Sequence, residues 1–150
     1  MVIKSEGNPG GHIILRGGTL PNYHQSDVMD AAERLAHQGI NPRLMVDCSH
    51  GNSQKLHQNQ LLVAGELCRQ LRGGSTAVAA VMVESFLQGG SQKPAPLSEL
   101  QYGLSVTDAC LGWEESETLL AMLADGVMAR RQFAHSRSIP LRNDLGQPVS

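Results

Sequence analysis

The sequence is poor in aromatic side chains: one Trp, two Tyr and two Phe make up 3% of its 150 residues. Any core must be built from Leu, Val, Ile, Ala and Met. Long hydrophobic runs are missing too. None approaches the roughly 20 residues that a membrane helix needs, and the opening MVIKSEGNPGG lacks the apolar stretch of a signal peptide. The cytoplasm is the simplest expected location. Charge of one sign is not in excess. With a net charge of −2, no basic field exists to hold nucleic acid, and no polybasic segment marks a membrane surface. Cysteine is scarce: Cys48, Cys68 and Cys110 are odd in number and widely spaced, which indicates neither a disulfide framework nor a CxxC metal site. Cys68 falls in an apolar helical pattern and reads as a small core residue.

What is present favours a packed fold, with 41% hydrophobic and 17% charged residues. Three short apolar runs stand out: residues 12–15, residues 44–46, and AVAAVMV at 77–83. Each is continuous rather than alternating and partly β-branched, as in strands buried on both faces of a parallel sheet. A helical pattern follows each. The first carries Val28, Ala31, Ala32 and Leu35 at i, i+3, i+4, i+7, with Ser26 as expected N-cap, Asp27 and Asp30 at its positive end, and Gly39 as its stop. The second carries Ala64, Leu67, Cys68 and Leu71 and stops at Gly73-Gly74. After the third run comes a polar loop, Gln88 to Gly103. A last helix then presents Leu120, Leu123, Ala124 and Val127 and closes at Arg130-Arg131. Strand followed by helix, three times over, predicts an α/β fold with parallel strands. Residues 1–131 form the expected unit, and 132–150 read as an irregular tail.

Polar residues sit just past the expected strands. Arg16 follows the first in LRGG, His50 the second in VDCSHGN, and Glu84 the third in VMVES. The steps 16, 50, 84 are equal, at 34 residues each. One strand, one helix and two loops fill about that length. The three residues therefore hold equivalent places at the carboxyl ends of successive strands, the face that carries active sites in parallel α/β barrels. An Arg, a His and a Glu there suggest an anion and a divalent metal such as Mn, Fe, Co or Zn. Asp108, in SVTDAC, is a further candidate carboxylate. Spacing alone also fits a hydrogen-bonded loop His and a helix-capping Glu, and it names no reaction.

The segments GNPGGHIILRGG (7–18), PNY (21–23), MVDCSHGNSQK (45–55), VMVES (81–85), YGLSVTDACLGWEES (102–116) and LADGVMARR (123–131) resemble the C-terminal part of class I 3-deoxy-D-arabino-heptulosonate-7-phosphate (DAHP) synthases, in order and approximate spacing. The resemblance implies a (β/α)₈ barrel enzyme that condenses phosphoenolpyruvate with erythrose 4-phosphate, the first step of the shikimate pathway to aromatic amino acids. It implies His50, Glu84 and Asp108 as ligands of a divalent metal, and Arg16 as a contact to the phosphate of phosphoenolpyruvate. Guanidinium suits that task because it presents two parallel donors.

Gly17 and Gly18 read as a tight turn with close backbone approach. Asn52, Ser53 and Lys55 read as the start of the next helix, Asn52 or Ser53 capping it. Trp113 reads as a packing anchor and Cys110 as packing. Cys48 receives no chemistry. His24, His37, His57 and His135 read as solvated.

Family members are more than twice as long. By resemblance this chain begins just before the sixth of eight strands, so it carries the last three β/α units of an incomplete barrel. A cysteine ligand of the metal and the KPRTS-type segment for the sugar phosphate would belong to the absent units. Three parallel strands cannot close a barrel. The expected partners are thus copies of the chain or a complementing N-terminal fragment, and the alternative to an enzyme is a non-catalytic remnant or interaction fragment.

Overall fold

The computed structural model describes residues 3–8 and 10–138. Parallel neighbours cannot be joined by a tight turn, so each strand must be followed by a crossover. The chain meets this with β1 (Ile14–Leu15), α1 (Gln25–His37), β2 (Leu44–Asp47), α2 (Asn59–Arg72), β3 (Val78–Met82), a 3₁₀ turn (Leu97–Glu99) and α3 (Trp113–Ser138). The sheet runs β1-β2-β3, all parallel. Its register aligns Ile14 with Met45 and Ala80, and Leu15 with Val46 and Val81.

One face of the sheet builds the core. Leu44, Val46 and Cys48 lie under Val63, Ala64, Leu67 and Leu71 of α2, and Val28, Leu111 and Leu119 join the same cluster. Every member is at most 4% exposed, so each contributes close to its full transfer free energy, about 1.5–3 kcal/mol for a large aliphatic side chain. The other face is open: Ile14 is 48% exposed, and Met45, Ala80 and Met82, on the same side of the sheet, are only half-buried. Burial on both faces, read from the continuous apolar runs, is therefore met on one side only. The helices draw their packing partners from a single cluster and leave the second face uncovered.

Local details differ from the expected ones in three places. The cap of α1 is His24, not Ser26; the Asp27 carboxylate accepts the His24 N–H at 3.1 Å, drawing the helix start two residues earlier. In α3 the inward residue is Leu119, at 1% exposure, whereas Leu120 is 65% exposed and Ala124 is also on the outside. Close approach to α2 sets this rotation. A Cβ on Gly126 would lie 3.3 Å from the Cys68 Cα, so the two helices meet at a residue without a side chain. Finally, α3 does not close at Arg131 but runs on to Ser138, so part of the expected irregular tail is helix. Arg130 donates to the carbonyls of Ser75 and Val78, and the Phe133 ring fills the space beside Gly74, which gives that extra length something to pack on. The remainder of the expected tail, 139–150, lies outside the described residues.

Candidate metal centre

The carboxyl ends of β2 and β3 are held in place by buried polar side chains. Asn52 is 3% exposed and its Nδ2 donates to the carbonyls of Leu15 (3.1 Å) and Asp47 (2.8 Å), while its Oδ1 accepts the Asn22 N–H at 2.8 Å. One amide thus ties together the loops after β1 and β2. It does not cap α2, which starts only at Asn59; neither does Ser53, whose Oγ donates to the His50 carbonyl. The two loops touch backbone to backbone. Gly17 has φ +73°, and a Cβ there would lie 2.6 Å from the Asn52 nitrogen. The expected tight turn and close approach of that glycine are both present.

His50 follows β2 in the left-handed region, at φ +46°, a strained setting for a residue with a side chain. Its Nδ1 lies 2.8 Å from Oδ2 of Asp47, whose side chain is 4% exposed and whose Oδ1 accepts the Ser49 N–H at 2.7 Å. A buried carboxylate on Nδ1 places the ring proton there and leaves the Nε2 lone pair free, the usual arrangement behind a ligating histidine. Glu84 directly follows Val83 beyond β3. Gln60, fully buried, accepts the Glu84 N–H (2.8 Å) and donates to its carbonyl (3.0 Å). The Ser49 hydroxyl donates to Glu84 Oε2 at 2.6 Å, so Oε1 is the oxygen left to point at His50.

His50 Nε2 stands 3.8 Å from Glu84 Oε1 and 3.8 Å from Asp108 Oδ2. Those separations are too long for hydrogen bonds. They suit donors sharing one cation: ligands each about 2.1 Å from an ion are roughly 3–4 Å apart. One ligand atom from each of His50, Glu84 and Asp108 lies within 4.8 Å of the others. Imidazole nitrogen with two carboxylate oxygens is a donor set that accepts a divalent ion of the Mn-to-Zn series. Asp108 differs from the other two. Its side chain is 70% exposed, and its loop is tethered through Leu111, which donates to the Glu84 carbonyl and accepts from Phe86, and through the Gly90–Cys110 pairing.

The cavity over these three candidate ligands has a volume of about 140 Å³. Ser49 and Ala109 line it with His50, Glu84 and Asp108, and so do Lys55 and His57. Thus His57 is half-buried in the site wall rather than simply solvated. Arg16 does not line this cavity. It is exposed beyond β1, with no ion pair or side-chain hydrogen bond among the described residues. The cysteines stay out of the ligand group. Burial, with Asp47 adjacent, pushes the Cys48 thiol up to about 12, so it remains a neutral core group. Burial also raises Cys110. Trp113 is 58% exposed at the start of α3 and anchors no core.

Asp47, Ser49 and Gln60 were not apparent as site residues. Asp47, a carboxylate three residues before the histidine at a strand end, offered a readable signal. Gln60 offered none, since a glutamine in a helix is ordinarily a surface residue.

The profile of the DAHP synthetase I family matches residues 2–121. The chain belongs to that family. It is 52% identical over 129 residues to the Trp-sensitive phospho-2-dehydro-3-deoxyheptonate aldolase of Enterobacter agglomerans, and 49% identical over 129 residues to that of Escherichia coli. Each alignment covers 86% of this chain but 37% of the relative. A solved phospho-2-dehydro-3-deoxyheptonate aldolase from Francisella tularensis superposes with a TM-score of 0.79 at 44% identity, over 85% of this chain and 37% of that one. This member of the DAHP synthetase I family therefore spans little more than a third of the length of the relatives it matches. Among its described residues, no helix is long and apolar enough to cross a membrane.

Proposed function

We propose that this chain supplies the last three β/α units of an eight-unit barrel, and that the completed barrel condenses phosphoenolpyruvate with erythrose 4-phosphate to DAHP and phosphate. The carrying observation is the convergence of His50, Glu84 and Asp108 from the ends of two neighbouring strands and one tethered loop. These three residues would hold the divalent ion. When bound there, it supplies Lewis acidity toward an aldehyde oxygen, raising the electrophilicity of the carbonyl carbon that the enol carbon attacks.

The chain's own groups have separable tasks. Asp47 fixes the imidazole tautomer, and Ser49 fixes the Glu84 rotamer, so the ligand atoms are aimed before anything binds. Arg16 would hold the phosphate of phosphoenolpyruvate outside the ligand cavity, this residue being exposed and without a side-chain partner among the described residues. The open sheet face at Ile14, Met45 and Ala80 supports a packing partner there, either the preceding barrel units on a complementing polypeptide or a second copy.

Mixing the chain with a fragment bearing the first five units and Mn²⁺ should produce DAHP. Absence of product from well-folded components counts against the reading. The short coverage of the relatives favours one other reading, a non-catalytic interaction fragment. That reading expects weak metal binding, and micromolar Mn²⁺ affinity lost in His50→Ala would exclude it.

A further inference from the structure

The ligand cavity contains a cation that the metal reading does not use. Lys55 is the only Lys or Arg among its lining residues. It sits in the left-handed region at φ +62°, directly after Gln54 at φ +55°. Two consecutive residues with side chains in that conformation cost about 1–3 kcal/mol each, and such strain persists only where the surroundings enforce it. Here the Lys55 N–H donates to the carbonyl of His50 at 3.0 Å, so the lysine's backbone is fastened to a ligand residue. Its ammonium makes no ion pair among the described residues. His57, two residues on, lines the same cavity.

Charge decides what such a pair is for. Glu84 and Asp108 on the wall and Asp47 behind the imidazole bring −3, and Lys55, exposed on the cavity rim, brings +1. A divalent ion makes the sum zero, and removing Lys55 makes it −1. An anion entering the loaded cavity therefore meets net repulsion without that lysine. We propose that Lys55, flanked by His57, is an oxyanion-binding pair on the cavity wall, positioning a phosphate or carboxylate group of a ligand next to the metal. This rests on the metal reading above and adds a substrate-positioning residue to it.

The test uses the full chain, Mn²⁺, and two probes, inorganic phosphate and acetate. Electron paramagnetic resonance reports free Mn²⁺, and phosphorus hyperfine coupling reports phosphate beside it. Lys55→Met should weaken phosphate or acetate binding to the Mn²⁺-loaded chain about tenfold, the size of one lost charge-assisted hydrogen bond. Mn²⁺ affinity should stay within about threefold, Lys55→Arg should restore most of the loss, and His57→Leu should cost about threefold. A phosphate-only effect assigns the site to a phosphate group, and an acetate-only effect to a carboxylate. Anion affinity indifferent to Lys55→Met, with Mn²⁺ binding still abolished by His50→Ala, overturns this inference alone. Failure of the parent chain to bind Mn²⁺ overturns both readings.

Discussion

Two of the three candidate ligands stand on strand ends and one on a loop, and they are built to different standards. His50 and Glu84 are part-buried, and each is held by a dedicated buried partner: Asp47 on the imidazole, Gln60 on both backbone groups of the glutamate. Asp108 is exposed, and only its loop is tethered. The contrast separates pre-positioned ligands from one that can be recruited. Rigid elements fix side chains within fractions of an ångström, whereas a loop ligand settles only when something binds it.

The sharpest way to break the comparison is the ligand pair itself. His50→Ala should lower Mn²⁺ affinity about 100-fold by titration, whereas Asp108→Asn should lower it about tenfold with no change in melting temperature. Equal losses would erase the distinction. Gln60→Leu comes next. It leaves the Glu84 N–H without its partner and should cost about 2 kcal/mol in chemical denaturation, with metal affinity falling as well because the strand end is released. If stability falls while metal affinity stays, Gln60 is a core residue and nothing more. Asp47→Asn keeps the shape but removes the carboxylate behind the imidazole. About a tenfold loss of Mn²⁺ affinity is expected, smaller than for the ligand it supports.

The smallest effect belongs to a carboxylate that is equally well held but remote. Glu66 accepts bonds from Arg69 and Gln70, and the Arg69 bond is the main cause of its lowered pKa. Its stabilisation is present above the unfolded carboxylate value and is lost as pH falls through the lower folded one. Glu66→Gln should therefore narrow the difference in stability between neutral and acidic pH, leaving Mn²⁺ binding untouched. A change in metal affinity would mean that α2 transmits more than packing.

Much of the fold was legible because local pattern and tertiary demand agree in β2 and α2. Leu44, Val46, Leu67 and Leu71 are buried as the sequence pattern predicts. Agreement fails where the demand comes from elsewhere. Leu119 rather than Leu120 faces inward because Gly126 lets α3 lie close on Cys68, a contact between residues far apart in the chain. At the site, equal spacing marked His50 and Glu84, but nothing local could show that Asp108 comes within 3.8 Å of the imidazole or that Arg16 stays outside the cavity. The supporting residues were hidden for the same reason: Gln60 reaches Glu84 across 24 residues and Ser49 across 35.

By itself, the order of residues determined the α/β class, the three strand–helix units and the polar residues at the strand ends. Backbone geometry makes period, caps and crossover length local properties. Only the tertiary structure decided which donors share one point in space, which face of α3 is buried and which cation lines the cavity. Those depend on distances between segments, and no periodicity along a chain encodes them.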